Sequence, residues 1–334
     1  MRTSPRRCEW PVSEAEFAIL GAGAMGSIVG AHLARAGHSV VMLARGARAE
    51  QLRQEGFSIR GLAEFTVPVR TVSEPASLSG AGALIVAVKT PGTAAALAAL
   101  THAHFDVTLS IQNGPLKNEL LAQAFGTERV LGALANTSGE LLPGGAVLFT
   151  RNVNIFIGEL AGGDSARAQR LANTIDASGV RAAASPEIVT LEWAKFCAWV
   201  GLMALSVATR AVTWKYLSDP GSALLVARLV REMGALTRAQ GIPLSDQAIL
   251  PTARLCAGSE REAVEIIRHA GREYQSNAPE HRMSALQDLL AGRALEVNET
   301  LGYALARARE LKLDLPTLEC FTALITAIDH SQRA

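Results

Sequence analysis

The sequence has little that would point to a secreted, metal-binding or nucleic-acid-binding protein. Its 334 residues include only four cysteines, Cys8, Cys197, Cys256 and Cys320, which are far apart and form no C-x-x-C or other metal-ligand spacing. Positive and negative residues nearly balance, with 32 Lys and Arg against 31 Asp and Glu, so the composition predicts no basic face for nucleic acid or a membrane surface. These absences favour a protein of the reducing cytoplasm without a metal site.

Long apolar runs are also missing. No uninterrupted apolar run reaches the length needed to cross a bilayer. The arginines near the N-terminus lead into Glu9, Glu14 and Glu16 and not into an apolar core, so we expect a disordered extension over residues 1–15 and no signal peptide. Hydrophobic residues nevertheless make up 49% of the chain, which is enough to build the cores of about two domains.

A glycine-rich turn lies between the first segment typical of a strand and the first segment typical of a helix. Phe17–Leu20 is an apolar run, and Gly21-Ala22-Gly23-Ala24-Met25-Gly26 follows it, ahead of a helical pattern over residues 27–36. This is G-x-G-x-x-G in the strand–turn–helix setting of a dinucleotide site, where backbone N–H groups at the helix start bind phosphate. The alternative is a glycine-rich turn in an unrelated α/β protein.

The residue after the second strand segment indicates which dinucleotide is bound. Residues 39–44 are followed by Arg45, at the position where an NAD-selective site normally carries an acidic residue for the ribose 2′-hydroxyl. A cation there favours the 2′-phosphate of NADP(H). The sequence therefore predicts NADP(H) as the cofactor, held by Arg45 and by the six residues of the turn.

Strands and helices alternate over the first half of the chain, whereas the second half is helical. Segments typical of strands alternate with segments typical of helices at 83–88, 93–100, 107–111, 117–125 and 130–134. This rhythm predicts an α/β protein whose N-terminal part is a Rossmann-type doubly wound parallel sheet. From Glu187 onward nearly every segment has the helical period. We predict an NADP-binding domain over residues 16–185, an all-helical substrate domain over 186–334, and a cofactor facing the cleft between them.

Several polar residues stand where a catalytic or binding group would be useful, and each also fits an ordinary structural role. Lys195 interrupts an apolar helical segment, so its ammonium either reaches solvent along its own stem or faces a polar cleft. Glu296 fits a solvated helix carboxylate as well as a functional one. Asn113 and Lys89 each follow a strand on the side where the cofactor is expected, and Asn113 fits equally as a cap of the next helix. Ser284 could likewise cap a helix.

Five parts of the sequence resemble the ketopantoate reductase (2-dehydropantoate 2-reductase) family. They are the glycine turn with Arg45, Val86-Ala87-Val88-Lys89, Ile111-Gln112-Asn113-Gly114, Glu192-Trp193-Ala194-Lys195, and the pair formed by residues 284–288 and 295–302. The resemblance runs from about Phe17 to Ile328, and unrelated Rossmann enzymes do not share the C-terminal pair. It implies a cytoplasmic NADPH-dependent oxidoreductase of pantothenate biosynthesis, which acts on CH–OH groups and reduces a 2-oxoacid to the 2-hydroxy acid.

The resemblance also implies a role for each candidate residue. Lys195 would donate the proton, Glu296 would orient Lys195 or accept from the substrate hydroxyl, and Ser284 would bind the substrate carboxylate. Asn113 and Lys89 would line the junction of cofactor and substrate. The expected partner is a small-molecule substrate, with no nucleic acid and no membrane. Since family members are found as monomers and as dimers, the helical domain is also a candidate surface for a homodimer.

The chain departs from the family where substrate is expected to bind. Four and eight residues after the catalytic lysine the family has two asparagines, and this chain has Trp199 and Met203; a further family asparagine falls on Thr213. Residues four apart share a helix face, so Trp199 and Met203 are expected on the face of Lys195, where they would make the pocket narrower and less polar. The alternative is that they face the core.

Three functions remain open on the sequence alone. The first is NADPH-dependent reduction of a 2-oxoacid-type ketone. The second is a reductase of the same family that acts on a different, more apolar ketone, which the lost asparagines favour. The third is an NADPH-binding sensor without turnover, against which the joint retention of Lys195, Glu296 and Ser284 speaks.

Overall fold

The computed structural model describes residues 15–333 and divides into two compact units. The first unit consists of the described residues up to Gln112 together with Lys117–Ile188. The second consists of Asn113–Leu116 and the described chain from Val189 onward. Apart from Ala15, the extension predicted at the N-terminus lies outside the described residues.

The first unit is a mixed ten-stranded sheet with five helices. Its strands are β1 (Phe17–Leu20), β2 (Val40–Leu43), β3 (Phe57–Gly61), β4 (Phe65–Val67), β5 (Arg70–Val72), β6 (Gly80–Val86), β7 (His104–Ser110), β8 (Val130–Leu141), β9 (Val147–Glu159) and β10 (Ala182–Ala184). The helices are α1 (Ala24–Arg35), α2 (Gly46–Glu55), α3 (Thr93–Ala98), α4 (Leu116–Phe125, whose first residue belongs to the second unit) and α5 (Ala166–Ala177). The spatial order is β4-β3-β9-β8-β7-β6-β1-β2-β5, with β10 beside β9.

Most strand pairs in this sheet are parallel, which confirms the predicted Rossmann-type fold class. Strand β1 pairs in parallel with β2 on one side and with β6 on the other. Strand β6 pairs in parallel with β7, and β7 with β8. Two pairs, β8 with β9 and β3 with β4, are antiparallel, so the sheet is mixed and not wholly parallel.

Both faces of the sheet are buried, which explains the continuous hydrophobicity of its central strands. Phe17 and Ile19 of β1 belong to one apolar cluster, while Ala18 and Leu20 belong to another. Successive strand residues point to opposite faces, so two clusters from one strand mean that a core lies on each side.

The long hairpin of β8 and β9 departs from the strand pattern predicted from sequence. The sequence suggests a short strand over 130–134 and two pieces over 146–150 and 153–157, whereas the structure has strands of 12 and 13 residues. Asn152 interrupts the apolar pattern, and its side chain binds the segment that leads into β10: its Oδ1 accepts from the backbone N–H of Arg181 at 2.9 Å, and its Nδ2 donates to Gly179 O at 3.1 Å.

Among its described residues, the second unit contains helices and no strands. Its helices are α6 (Ile188–Thr209, whose first residue belongs to the first unit), α7 (Thr213–Ser218), α8 (Pro220–Ala239), α9 (Thr252–Ala257), α10 (Glu260–Asn277), α11 (Ser284–Leu290), α12 (Tyr303–Glu310) and α13 (Pro316–Arg333). Residues Asn298–Gly302 form a π-helical turn directly before α12. An all-helical C-terminal part is therefore confirmed.

Helix α6 is the centre of the apolar core of this unit. By length and mean hydropathy this helix could cross a bilayer, although polar residues interrupt its apolar sequence. However, 83% of its most apolar 18-residue stretch is buried within the protein. Such burial is what a core helix shows, since a lipid-facing helix would leave its apolar side chains outside the fold.

Two helix starts differ from the sequence-based expectation, which begins one helix at Asp164 and caps another with Ser284. Helix α5 begins after Ser165, which accepts a hydrogen bond from the N–H of Ala168, so Asp164 lies outside the helix. Ser284 is not a cap: it is the first residue of α11, and the cap position is taken by Met283.

Candidate functional site

Four strand ends meet at one edge of the first unit. Leu20 of β1 is paired with Leu43 of β2 and with Val86 of β6, and Val86 is paired with Ser110 of β7. These strands are parallel, so the residues that follow them emerge at the same edge, which is where open parallel sheets bind ligands. The glycine turn, Arg45, Lys89 and Gln112 follow these ends.

The glycine turn has the geometry that phosphate binding requires. Gly21 has a φ of +111°, and a Cβ on it would lie 2.6 Å from Val88 N. A Cβ on Gly26 would lie 2.0 Å from Gly21 O, so only glycine permits this approach of helix and strand. Gly23 precedes α1, is exposed, and a Cβ there would meet nothing within 4 Å. The open space beside Gly23 and the uncapped start of α1 fit a pyrophosphate.

Arg45 lies at the start of α2 with its side chain exposed. It occupies the cap position of that helix without forming a side-chain cap, and the first turn of α2 contains no acidic residue. The backbone N–H groups at this helix start and the Arg45 guanidinium both favour an anion.

Gln112 joins the ends of β6 and β7. Its Nε2 donates to Val88 O and to Thr93 Oγ1, both at 2.8 Å, and its Oε1 accepts from Ser110 Oγ at 2.9 Å. Thr93 Oγ1 in turn donates to Lys89 O at 3.3 Å. The side chain thereby holds the loop of Lys89 at a fixed distance from the turn that leads to Asn113.

A buried lysine supports the same turn. The side chain of Lys117 is 5% exposed, and its ammonium donates to Gln112 O at 3.0 Å and also to Ala133 O in β8. From its position on α4, the Lys117 ammonium supplies a hydrogen-bond donor to each of these two main-chain carbonyls.

The second unit brings together three of the segments singled out in the sequence. Lys195 lies half-buried on α6. A Cβ on Gly114, next to Asn113, would lie 3.4 Å from the ring of Phe196 and 3.8 Å from Glu299 O. The turn of Asn113 therefore packs beside Phe196, the residue after Lys195, and beside the segment that begins at Glu296.

Glu296 is 8% exposed and stands immediately before an irregular stretch of helix. In the π-helical turn, Gly302 N–H donates to Val297 O, five residues earlier, at 2.9 Å, and Thr300 Oγ1 donates to Glu296 O. Leu295 N–H donates to Asp329 Oδ1 of α13 at 2.9 Å. Single π-helical turns occur frequently at functional sites because they shift the direction of neighbouring side chains.

The segment of Ser284 is held by a carboxylate further along its helix. Ser284 itself is exposed at the start of α11. Asp288 is 4% exposed, and its Oδ1 accepts from Arg293 Nε at 2.8 Å. This ion pair fixes the end of α11 ahead of Glu296.

Trp199 and Met203 follow Lys195 at intervals of four residues along the unbroken α6, but both are buried in the core cluster of the second unit. Trp199 is 4% exposed and Met203 is 0% exposed, and the Trp199 ring stacks on Phe196 with centroids 6.5 Å apart. Thr213 is also buried and its Oγ1 pairs with His281 Nδ1 at 2.8 Å. Contact of Trp199 and Met203 with substrate stays a prediction.

Within residues 15–333, no group of three or more His, Cys, Asp or Glu residues is arranged to hold a metal ion. Burial raises the pKa of the Cys197 thiol to about 12, so this cysteine, two residues beyond Lys195, is a neutral packing group and not a nucleophile.

Three polar residues in these contacts were not predicted from the sequence to be site residues: Gln112, Lys117 and Asp329. Gln112 could have been found from the Q-N-G turn that contains it. The others lie on amphipathic helices among many polar residues, where spacing gives no signal that separates them from solvated side chains.

A glycine-rich turn at the carboxyl ends of parallel strands is typical of dinucleotide-binding proteins. Comparison with known proteins identifies the family. The family model for ketopantoate reductase PanE/ApbA matches residues 17–162, and the model for its C-terminal region matches residues 187–329. The chain belongs to the ketopantoate reductase family.

Individual relatives agree with this assignment. The chain is 27% identical over 311 residues to the 2-dehydropantoate 2-reductase of Archaeoglobus fulgidus, covering 93% of this chain and 97% of the relative. It resembles the crystal structure of a PanE/ApbA family ketopantoate reductase from Ralstonia eutropha JMP134, with a TM-score of 0.81, 25% identity and coverage of 95% and 99%. It also shares the fold of a D-mandelate dehydrogenase bound to NADH and anilino(oxo)acetate, with a TM-score of 0.82, 20% identity and the same coverage.

The family establishes the general reaction. The protein is an oxidoreductase acting on CH–OH groups, and its reaction is a ketone reduction to a hydroxy acid similar to that of 2-dehydropantoate 2-reductase.

Proposed function

We propose that this protein uses NADPH to reduce a 2-oxoacid-type ketone to the 2-hydroxy acid, with Lys195 as the proton donor. The observation that carries the cofactor preference is Arg45, exposed at the start of α2, in a first turn without an acidic residue. An acidic group there would repel the 2′-phosphate of NADPH, whereas a guanidinium binds it.

The turn residues 21–26 hold the cofactor pyrophosphate in this proposal, and Lys89 and Asn113 line the nicotinamide end. When bound, the nicotinamide supplies a hydride to the carbonyl carbon of the substrate. Reduction of the carbonyl would place negative charge on its oxygen. Lys195 stabilises that charge as an ammonium and then transfers its proton to the oxygen.

The remaining candidates position the substrate and the proton donor. Glu296 orients the Lys195 ammonium or accepts from the new hydroxyl, and Ser284 binds the substrate carboxylate. The packing of Gly114 against Phe196 and Glu299 supports these roles. It fixes the turn of Asn113 beside the helix that carries Lys195 and beside the segment that follows Glu296.

Two substitutions test the proposal. Lys195→Ala is expected to lower kcat by about a hundredfold or more, the range for loss of a general acid. Lys215→Ala, at an exposed position on α7 of the same unit, is the matched control and should leave kcat unchanged. Near wild-type turnover of Lys195→Ala would exclude Lys195 as the donor.

The cofactor preference has its own test. We expect the wild-type protein to bind NADPH more tightly than NADH, and Arg45→Gln to remove most of that difference by weakening NADPH alone. If Arg45→Gln leaves the ratio of the two dissociation constants unchanged, Arg45 does not bind the 2′-phosphate.

A second candidate keeps the reaction and changes the substrate to a more apolar ketone. It is favoured by Trp199 and Met203 at the positions of the family asparagines. The fold itself does not require ketopantoate, since a D-mandelate dehydrogenase shares it. A panel of 2-oxoacids assayed with NADPH distinguishes the two candidate substrates. If kcat/KM is much higher for ketopantoate than for the other 2-oxoacids, the proposal of a more apolar substrate is excluded. NADPH binding without oxidation across the panel would favour a sensor instead.

A further inference from the structure

Arg48 of α2 connects the glycine turn to two other parts of the first unit. Its Nε donates to Ala22 O at 3.1 Å and its Nη2 donates to Ser27 Oγ at 3.0 Å. Its Nη1 donates to Gly145 O at 2.7 Å, in the turn between β8 and β9, and to Gln51 Oε1 at 2.9 Å. One guanidinium therefore binds the glycine turn, helix α1 and the turn between β8 and β9.

The carbonyl of Ala22 receives a second hydrogen bond from the same network. Ser27 is fully buried, and its Oγ donates to Ala22 O at 3.2 Å while it accepts from Arg48. A backbone carbonyl has two lone pairs, so Arg48 and Ser27 together satisfy Ala22 O.

Fixing this carbonyl fixes the next N–H group. The peptide between Ala22 and Gly23 is planar, and in a trans peptide the C=O and the N–H point in opposite directions. The Gly23 N–H consequently points away from Arg48. Gly23 is the exposed glycine beside open space, where a pyrophosphate is expected to lie.

The guanidinium also places a positive charge beneath the phosphate turn. Burial lowers the pKa of Arg48 from its usual value, but a guanidinium remains protonated at any physiological pH. In a partly buried position its field is screened less by solvent than that of an exposed arginine such as Arg45.

We propose that Arg48 is a positioning residue for the cofactor: it holds the Ala22–Gly23 peptide so that its N–H faces the pyrophosphate, and it does not bind the 2′-phosphate. Both NADPH and NADH contain the pyrophosphate, so Arg48 serves both equally. Arg45 acts on NADPH alone. The inference rests on the proposed function, specifically on dinucleotide binding at the glycine turn.

The test compares dissociation constants of NADPH and NADH for four proteins, measured by fluorescence titration at a temperature where all are folded. Arg48→Met is expected to raise both constants by the same factor, about tenfold, as expected for the loss of hydrogen bonds from a charged group. Arg48→Lys keeps the positive charge but lacks the planar guanidinium with its several N–H donors, so it should recover part of the affinity that Arg48→Met loses. Arg53→Met, an exposed arginine on the same helix paired with Glu50, is the matched control and should change neither constant.

Three outcomes would overturn the inference. A rise for NADPH alone would make Arg48 a ligand of the 2′-phosphate. Unchanged dissociation constants with a lower Tm would make it a residue of the fold only. A wild-type protein that binds neither dinucleotide would reject the proposed function and the inference together, whereas normal wild-type binding with an insensitive Arg48→Met rejects the inference alone.

Discussion

Asp329 Oδ1 accepts a 2.9 Å hydrogen bond from the backbone N–H of Leu295, the residue directly before Glu296. Asp329 is 5% exposed, and its other carboxylate oxygen pairs with Arg333 one turn later on α13. A buried carboxylate from the last helix thus fixes the main chain that carries a proposed catalytic group.

We predict that Asp329 affects the reaction through Glu296. Asp329→Leu should lower kcat/KM by about tenfold or more, because small displacements of a catalytic group are costly. Asp329→Asn keeps an oxygen acceptor for Leu295 and should retain most of the activity. In a double-mutant cycle, Asp329→Leu should add little to the loss caused by Glu296→Gln. Equal losses in both backgrounds would show that Asp329 acts on the fold and not on Glu296.

Trp199 and Met203 of α6 give a prediction about specificity. Replacing Trp199 and Met203 together by asparagine restores the amides found in the family, and we expect the ratio of kcat/KM for ketopantoate to that for an aromatic 2-oxoacid to rise about tenfold or more. Steady-state assays of both substrates and a thermal melt check this. Because both side chains are buried, a pure core role predicts instead a large loss of stability, of about 2–5 kcal/mol, with no change in the ratio.

The buried lysine of α4 gives a prediction about stability. Lys117→Met removes the donor to Gln112 O and Ala133 O, and leaving these carbonyls without that partner should cost about 2 kcal/mol. Urea unfolding measures the change. Lys312→Met, at an exposed position after α12, is the control and should be neutral. A variant of Lys117 as stable as the wild type would mean that other groups satisfy both carbonyls.

The ion pair at the end of β9 gives a prediction about pH. Glu159 accepts two hydrogen bonds from Arg167, at 2.8 and 2.7 Å, and this contact lowers the pKa of the Glu159 carboxyl below its usual value. A carboxyl with a lower pKa in the folded state adds stability above its unfolded pKa, and that stability is lost as the pH falls through the folded value.

About a quarter of each side chain of this pair is exposed, so solvent screens the interaction. Glu159→Gln should therefore lower the free energy of unfolding at pH 7 by only about 0.5–1 kcal/mol. The difference from wild type should shrink as the pH is lowered below 4.5, the ordinary value for this carboxyl. Urea melts across this range measure it, and a difference that grows at low pH would contradict the assignment.

Local features of the sequence predicted the cofactor side of the fold well. The glycine turn is contiguous, and its demands are set by its own backbone: Gly21 adopts a positive φ, and Gly26 must lie against Gly21 O. The strands β1 and β6 were visible because burial on both faces makes them continuously apolar. These patterns need no knowledge of distant residues.

Long-range pairings were not visible in the same way. Asn152 resembles a strand break until its bonds to Gly179 and Arg181 are known. The π-helical turn after Glu296 resembles an ordinary helix because only its hydrogen bonds differ from those of the helix that follows.

The sequence by itself determined the class of fold, the dinucleotide turn and the family, because each is encoded in short stretches whose spacing follows from helix or strand geometry. Only the tertiary structure decided which polar side chains support those stretches. Arg48 reaches a hairpin turn nearly a hundred residues away, and Asp329 reaches Leu295 from another helix. Such contacts depend on how elements pack, and no local pattern on an amphipathic helix distinguishes a buried hydrogen-bond donor or acceptor from a solvated charge.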